Sequence, residues 1–197
     1  MIAVLDYGAG NVGSVLKAVE YLGRSACAVN KPELLDGAEK IIFPGQGHFG
    51  QMMKALEEGG LLAALRKAIA AGKPFLGICL GLQALYESSE EASGVAGLGI
   101  LPGRVTRFEG MLKVPQVGWN QLEIRRESRL LSGIVQGSFA YFCHSYYGPV
   151  TEEAMAVTEY GQAFAAVIEK ANVAAVQFHP EKSGNVGLRV LKNFLES

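Results

Sequence analysis

The chain has 197 residues, of which 49% are apolar and 19% are charged, and its formal net charge is −1. This composition is typical of a globular protein with its own core, gives no reason to expect a nucleic acid partner, and contains no apolar stretch near the ~20 residues that span a bilayer. The start, Met1 to Asp6, lacks the basic segment of a signal peptide, and the three cysteines lack the spacing of a disulfide framework. We therefore expect one domain over residues 1–197, located in the cytoplasm.

The first half of the sequence alternates strand and helix patterns. Ile2 to Asp6 predicts a buried strand, and Asn11 is placed to cap a helix whose apolar residues recur at helical spacing. Pro44-Gly45 is expected to end the third strand. The later elements are strands over 27–29, 40–43 and 74–78 and helices over about 49–71 and 80–87. Because strands joined through helices form parallel sheets, this half predicts a doubly wound α/β sheet with helices on both faces.

The second half changes character, because its strand patterns have no strong helices between them. These patterns cover residues 104–108, 112–124 and 139–143, followed by a predicted hairpin of 154–158 with 163–168. A further buried strand, 174–178, and an amphipathic helix, 184–195, close the chain. The sequence therefore predicts an α/β fold with a mostly parallel sheet and antiparallel additions.

The segment Gly77-Ile78-Cys79-Leu80-Gly81 lies between a predicted apolar strand and a predicted helix. This is the context of a nucleophile elbow, with cysteine in place of serine at its tip. The partial positive charge at the start of the following helix favours a thiolate there. A core cysteine in a glycine-flanked turn would leave the same pattern, so both interpretations stand on these residues alone.

His179-Pro180-Glu181 follows the last predicted strand. Proline favours an extended His179, and residues two apart on an extended chain point the same way, so the Glu181 carboxylate can orient the imidazole. A surface ion pair in a loop is the alternative. Because Cys79 and His179 both follow buried strands, we expect them at the same carboxyl edge of the sheet, as a thiolate–imidazole pair for acyl transfer.

A glycine-rich segment, Pro44-Gly45-Gln46-Gly47, also follows a predicted strand at this edge. Such a loop can offer backbone N–H groups to a developing oxyanion, and the Leu80 N–H can supply another donor. A simple turn after a strand explains the same residues and is favoured for this segment taken alone.

Two further patterns point to other kinds of site. Gly8-Ala9-Gly10-Asn11-Val12-Gly13 matches a dinucleotide-binding fingerprint, but Ala28-Val29-Asn30 stands where an acidic residue would hold the ribose. The histidines and cysteines have neither C-x-x-C nor H-E-x-x-H spacing. Cys143 and His144 are expected to be a strand residue beside a loop residue. We therefore expect neither a metal ion nor a cofactor.

Gly77 to Gln83, together with His179-Pro180-Glu181, resembles the class I, or triad, glutamine amidotransferases in order and spacing over nearly the whole chain. The resemblance implies that Cys79 is the nucleophile, His179 the base and acid, and Glu181 its orienter. The implied reaction hydrolyses L-glutamine to L-glutamate and ammonia through a Cys79 thioester. The resemblance also implies an oxyanion hole formed by Gln46, Gly47 and Leu80. It further implies a substrate site formed by Gly47, Gln83, His144, Ser145 and Tyr146.

A finer resemblance leads to the members of this family that deliver ammonia to a (β/α)8-barrel cyclase in histidine biosynthesis, which forms imidazole glycerol phosphate and an aminoimidazole carboxamide ribonucleotide. It is carried by four segments, Asp6–Asn11, Pro115–Asn120, Tyr141–Tyr146 and His179–Ser183, in which Gln116 replaces an expected histidine. In similar enzymes the resting oxyanion loop is not always productive, and acceptor substrate bound to the partner switches it on. The resemblance implies a heterodimer whose partner faces Asn11, Trp119, Tyr141 and Lys182.

Three alternatives stay open at this point. The first is the glutaminase subunit of another synthase with the same fold, such as pyridoxal phosphate synthase or anthranilate synthase. The second is a cysteine hydrolase that does not act on glutamine. The third is a nucleotide-binding regulatory module that uses Gly8 to Gly13.

Overall fold

The computed structural model describes all 197 residues and is built around one eight-stranded sheet. Its parallel strands are β1 (Ile2–Leu5), β2 (Ala26–Val29), β3 (Lys40–Gly45), β4 (Phe75–Cys79) and β13 (Val173–Val176). Antiparallel strands extend it on one side, namely β12 (Ala163–Lys170), β11 (Ala154–Glu159) and β8 (Glu123–Ile124). The order is β2-β1-β3-β4-β13-β12-β11-β8, which confirms the predicted parallel sheet with antiparallel additions.

Two smaller sheets and six α-helices complete the fold. One sheet contains β5 (Tyr86–Ser89), β6 (Leu101–Arg107) and β10 (Tyr146–Tyr147), and the other pairs β7 (Gln116–Gln121) with β9 (Phe139–His144). The helices are α1 (Val12–Tyr21), α2 (Pro32–Asp36), α3 (Phe49–Glu58), α4 (Leu61–Ala70), α5 (Leu80–Gln83) and α6 (Gly184–Glu196). Not one of these helices combines the length and the apolar character that a membrane crossing requires.

The hydrophobic core forms two clusters, one on each face of the central sheet. Alternate residues of β1 divide between them, with Ala3 and Leu5 in the first cluster and Ile2 and Val4 in the second. Helices α3 and α4 cover the first face, and α1 and α6 cover the second. This period-two division is what a sheet buried on both sides requires, and it confirms helices on both faces.

The third strand is longer than expected, because Pro44 and Gly45 continue it instead of ending it. The Ile41 N–H donates to the Pro74 carbonyl, so the backbone hydrogen-bonding groups of every second residue from Ile41 onwards point to β4. The backbone nitrogen of Pro44 therefore lies on the opposite side, toward β1. Pairing between β1 and β3 reaches only as far as Ile42. The missing N–H of Pro44 therefore faces no strand, and proline is tolerated there.

Two further predictions of local structure were wrong, and one helix was missed. The helix predicted over 80–87 stops at Gln83, because Tyr86 pairs with Leu101 and begins β5. The strand predicted over 112–124 is broken into the shorter strands β7 and β8, and helix α2 was not predicted at all. Short apolar runs do not distinguish a helix from a strand, and here the long-range pairing decides.

Candidate active site

Cys79 lies at the junction of β4 and α5, at the carboxyl edge of the central sheet. Its backbone has φ 56° and ψ −107°, in the positive-φ region that side chains other than glycine rarely adopt. The flanking glycines allow close packing, since a Cβ on Gly81 would lie 2.1 Å from the Phe43 carbonyl oxygen. Strand, sharp turn and helix therefore form the geometry expected of a nucleophile elbow.

His179 and Glu181 form a buried pair beside Cys79. His179 is extended, with φ −97° and ψ 98°, whereas Glu181 lies in a 3-10 turn over Pro180–Lys182. The His179 Nδ1 and Glu181 Oε1 atoms are 2.9 Å apart, and the two side chains are only 3% and 1% exposed. The surface-loop alternative is therefore wrong, although the turn, and not a fully extended chain, aligns the two groups.

The charges of this cluster support each other. Burial alone lowers the pKa of His179, but the charge and hydrogen bond of Cys79, together with Glu181, outweigh it and raise the pKa to about 10. Burial raises the pKa of Glu181, but its bond to His179 and the attraction between their charges bring that pKa below its ordinary value. Because Nδ1 is held by Glu181, the other ring nitrogen, Nε2, is left for the thiol.

Asn11 precedes α1, but its side chain does not cap that helix as predicted. Its Nδ2 instead donates to Glu181 Oε1 over 3.1 Å. A cap would use the side-chain oxygen of Asn11 as an acceptor, whereas the observed bond uses its amide as a donor to a buried carboxylate, and such a charge-assisted hydrogen bond is stronger than a neutral one. Asn11 is half-buried and thus belongs to the surroundings of the Glu181–His179 pair.

A cavity of about 360 Å³ opens in front of the Cys79 thiol. All the residues predicted to bind substrate or oxyanion contribute to its wall, and the full lining comprises Gln46, Gly47, Cys79, Leu80, Gln83, Glu91, Pro115, Cys143, His144, Ser145, Tyr146 and His179. The fold thus brings together residues from six separate segments of the chain.

Two buried glutamines form part of this wall or lie behind it. The Gln83 amide donates to the Tyr146 carbonyl at 2.8 Å and to Gln177 Oε1 at 3.2 Å. The Gln177 amide in turn lies 3.7 Å from the Cys79 sulfur, where it can donate a hydrogen bond to a thiolate. Gln177 was missed in the sequence, although a polar residue within an apolar strand pattern was a usable signal.

His144 faces the cavity as a neutral ring. Its Nδ1 donates to the Tyr146 carbonyl at 2.7 Å, and Nε2 is buried without a partner. Burial, followed by the charge of His179, lowers the pKa of His144 to about 4, although its hydrogen bond opposes the shift. Cys143 is a strand residue of β9, as expected, and is exposed, but His144 is the last residue of this strand and not a loop residue.

Glu91 was not predicted, yet it is the only carboxylate in the cavity wall. Its Oε2 accepts a hydrogen bond from the Phe49 N–H at 2.7 Å, at the start of α3. No periodic pattern separates Glu91 from the neighbouring surface acids Glu87 and Glu90 in the sequence. Only the fold shows which of these carboxylates faces the cavity.

The segment predicted to bind the oxyanion follows β3, but the first of its predicted N–H donors is occupied. The Gln46 N–H donates to the Tyr7 hydroxyl at 3.1 Å. Gly47 and Leu80 line the cavity, and Gly47 has a φ of +99°, a conformation that favours glycine. Assignment of oxyanion N–H groups to Gln46, Gly47 and Leu80 stays a prediction.

The residues predicted to face a partner lie near this edge. Trp119 and Tyr141 pair across β7 and β9 with their rings 6.0 Å apart, and Trp119 is 56% exposed. Lys182 is also exposed, in the 3-10 turn that carries Glu181. No three side chains of the types His, Cys, Asp and Glu are grouped so that they could hold a metal ion.

Comparison with known proteins identifies relatives over the full chain. Residues 3–197 match the family described as Glutamine amidotransferase class-I. The imidazole glycerol phosphate synthase subunit HisH from Methanothermobacter thermautotrophicus is 48% identical over 197 residues, which cover 100% of this chain and 98% of the relative. The protein of the same name from Bacillus cereus is 44% identical and covers 98% of this chain and 93% of the relative. A solved glutamine amidotransferase structure shares the fold, with a TM-score of 0.78, 24% identity and coverage of 99% of this chain and 97% of that chain.

Proposed function

Because this chain belongs to the class-I glutamine amidotransferase family, we propose that it hydrolyses L-glutamine as the ammonia-producing subunit of an imidazole glycerol phosphate synthase. The observation that carries this proposal is the buried contact of Glu181, His179 and Cys79 at one wall of the cavity. The relatives that carry the imidazole glycerol phosphate synthase name favour this branch over the glutaminases of pyridoxal phosphate and anthranilate synthases.

The reaction needs the proton that His179 holds. With a pKa of about 10, His179 is protonated at neutral pH, and the attacking species is the thiolate form of the sulfur beside it. The thiolate attacks the side-chain amide carbon of glutamine. A carbon–sulfur bond forms, and the carbonyl electron pair moves to oxygen, which becomes a tetrahedral oxyanion stabilised by backbone N–H groups.

Two collapses of tetrahedral intermediates then complete the reaction. In the first, the carbon–nitrogen bond breaks, His179 gives its proton to the nitrogen, and ammonia leaves a glutamyl thioester on Cys79. The neutral His179 next takes a proton from an attacking water molecule. The second collapse breaks the carbon–sulfur bond and restores the thiolate, while His179 remains an imidazolium. The new carboxyl group gives its remaining proton to solvent, and glutamate leaves. Glu181 keeps Nδ1 bonded throughout, so Nε2 is the nitrogen that exchanges protons.

The cavity wall supplies groups that suit a free amino acid. Glu91 Oε2 is bonded to Phe49, whereas Oε1 has no hydrogen bond within the protein and can accept the α-ammonium group of glutamine. Gln83 anchors the Tyr146 backbone, so this part of the wall is fixed before the substrate binds. Ser145 adds a hydroxyl to the same wall. A substrate without an α-ammonium group would leave the Glu91 carboxylate unpaired.

The outer face of the β7–β9 ribbon is the surface for the synthase partner, a (β/α)8-barrel cyclase. Val117, Trp119 and Phe139 are all more than half exposed there, which is unusual for large apolar side chains on a free surface. The inner backbone of the ribbon reaches the triad, since the His179 N–H donates to the Tyr141 carbonyl at 2.9 Å. A partner on this ribbon would therefore contact a residue bonded directly to the catalytic histidine segment.

The decisive experiment follows glutamate formation by the purified chain, alone and mixed with an imidazole glycerol phosphate synthase cyclase subunit. Each mixture is measured with and without the cyclase's nucleotide substrate. We expect glutamate formation to depend on Cys79 and to rise when the cyclase and its substrate are both present. Equal rates in all mixtures would contradict the role as a synthase subunit, and the absence of glutamate in every mixture would contradict glutaminase activity.

A further inference from the structure

The loop between β1 and α1 touches both sides of the active site, although the mechanism above does not use it. At the end of the loop, Asn11 donates to Glu181, and at its start Tyr7 contacts Gln46. Between them, the backbone at Gly10 approaches the oxyanion segment so closely that a Cβ there would lie 3.3 Å from the Pro44 carbonyl oxygen. The glycine-rich pattern that resembled a nucleotide fingerprint thus packs against the catalytic machinery.

The Tyr7 hydroxyl makes two hydrogen bonds to the same residue. It accepts the Gln46 N–H at 3.1 Å and donates to the Gln46 carbonyl at 3.1 Å. The position of this hydroxyl is fixed by its ring, which packs edge-on against Phe43 with the ring centroids 5.9 Å apart. Phe43 belongs to β3, the strand that leads into Gln46. Tyr7 therefore holds the residue after β3 from a rigid base.

This arrangement has a consequence for the oxyanion. Tyr7 is not part of the cavity wall, so an N–H that points at its hydroxyl points away from the place where the oxyanion forms. An N–H stabilises an oxyanion only when it is aimed at that oxygen, and a single hydrogen cannot serve two acceptors at full strength. Tyr7 and the oxyanion therefore compete for the Gln46 N–H.

The Tyr7 hydroxyl also remains able to form both hydrogen bonds at neutral pH. Burial raises the pKa of Tyr7 to about 12, and the charge of Cys79 adds to the rise, although the hydrogen bond from Gln46 opposes it. Because the hydroxyl stays protonated, it remains a donor to the Gln46 carbonyl as well as an acceptor of the N–H.

We propose that Tyr7 is a positioning residue that keeps the Gln46 N–H away from the cavity in the unstimulated protein and thereby limits glutaminase turnover. The proposal rests on the function proposed above. Tyr7 acts through Gln46 and touches no reacting atom. When a partner and its substrate stimulate the reaction, the Gln46 N–H would then change its hydrogen-bond acceptor from the Tyr7 hydroxyl to the oxyanion.

The Tyr7→Phe variant tests this proposal, because it keeps the ring packed on Phe43 and removes only the hydroxyl. We expect kcat for glutamine in the absence of the cyclase to rise about threefold to tenfold, the effect of one hydrogen bond. The KM for glutamine should stay unchanged, because the oxyanion forms after binding. In the presence of the cyclase and its substrate the variant and the wild type should turn over at the same rate.

Alkylation of Cys79 by iodoacetamide distinguishes an effect on oxyanion stabilisation from an effect on the reactivity of the thiol. Attack on a saturated carbon forms no oxyanion, so the alkylation rate, read by mass spectrometry of the Cys79 peptide, should be equal in Tyr7→Phe and wild type. A rise in alkylation that parallels the rise in turnover would overturn the proposal, because Tyr7 would then act on the thiol. An unchanged or lower kcat without the cyclase would also overturn it.

The matched control is Tyr160→Phe, which loses a hydroxyl bonded at 2.8 Å to another backbone carbonyl, that of Lys113. This control should leave kcat without the cyclase unchanged, and thermal unfolding of both variants checks that each is folded at the assay temperature. An equal rise in both variants would contradict a specific role for Tyr7. If the wild type forms no glutamate even with the cyclase, the proposed function itself fails. This result differs from an active wild type whose kcat is unchanged by Tyr7→Phe, which contradicts only the role of Tyr7.

Discussion

The two sides of the cavity that meet at Cys79 differ in how far their hydrogen bonds are arranged for the reaction. On the β13 side, Glu181 and His179 are 2.9 Å apart and buried beside the thiol. On the β3 side, the Gln46 N–H is bonded to Tyr7, outside the cavity wall. Both sides follow parallel strands of one sheet, so the difference does not come from the topology. It comes from the β1–α1 loop, which completes the first side through Asn11 and occupies the second through Tyr7.

This difference separates two requirements of the same reaction. In the proposed mechanism the proton donor is already beside the nucleophile before glutamine binds, whereas one N–H donor for the oxyanion has to be released from Tyr7. Charge stabilisation in the transition state usually makes a larger contribution to the rate than formation of the nucleophile alone. A site with this asymmetry can keep its triad intact and still be regulated through a single backbone N–H.

Glu181 and His179 on the β13 side, together with the thiol of Cys79, form the prepared side of the cavity. Removal of this thiol has the largest expected effect. We expect Cys79→Ala to lower kcat for glutamine by about 10⁵-fold or more, because the covalent route is lost. The control is Cys27→Ala, whose thiol is half-buried in a different part of the sheet and should be dispensable. Glutamate formation measures both variants, and ammonia release from Cys79→Ala at the wild-type rate would contradict the assignment of the nucleophile.

Neutralising Glu181 weakens the prepared side without removing it. In Glu181→Gln the imidazolium loses its charged partner and its fixed ring orientation, so we expect kcat to fall about 10³-fold. Glu169→Gln serves as the control, because Glu169 is another largely buried carboxylate that accepts hydrogen bonds, from Ser128 and Leu130, far from the triad. Equal losses in the two variants would show that the effect is on stability and not on His179.

The prepared side is also the part of the site that the sequence predicts best. Cys79 and His179 follow apolar runs that are buried on both faces of a parallel sheet, and the positions of such strands can be read from the sequence. The flanking glycines show where the chain must turn sharply. Local patterns of this kind fix which edge of the sheet each residue reaches, and this information was sufficient to bring the triad together.

The β3 side, where Tyr7 occupies the Gln46 N–H, could not be predicted, because its contacts join distant segments through exact side-chain positions. Tyr7 and Gln46 are 39 residues apart, and Glu91 reaches Phe49 across 42 residues. Asn11 was expected to cap a helix, and only the fold shows that a buried carboxylate lies within its reach. The same limitation explains the helix wrongly extended beyond Gln83, where pairing with a distant strand decides the structure.

Substrate binding at the cavity wall gives a smaller effect, of a different kind. We expect Glu91→Gln to raise the KM for glutamine about 30-fold, the value of a charged hydrogen bond to the α-ammonium group, with a modest change in kcat. Glu90→Gln is a closely matched control, because Glu90 also accepts a backbone N–H, that of Arg107, but does not line the cavity. A loss confined to kcat would instead assign Glu91 to the position of α3 and the oxyanion segment.

The pH dependence gives the most gradual effect and distinguishes the proton donor from the nucleophile on the prepared side. Because Cys79 and Glu181 hold the pKa of His179 at about 10, His179 keeps its proton through the neutral range and loses it as the pH rises through that value. Turnover needs this proton for the departing ammonia, so we expect kcat/KM to fall about tenfold per pH unit above that point. Iodoacetamide alkylation of Cys79 needs only the thiolate and should not fall. A decline in turnover that begins near pH 7 would contradict the paired imidazolium, and in Glu181→Gln the decline should begin at lower pH than in the wild type, because one of the groups that raise this pKa is lost.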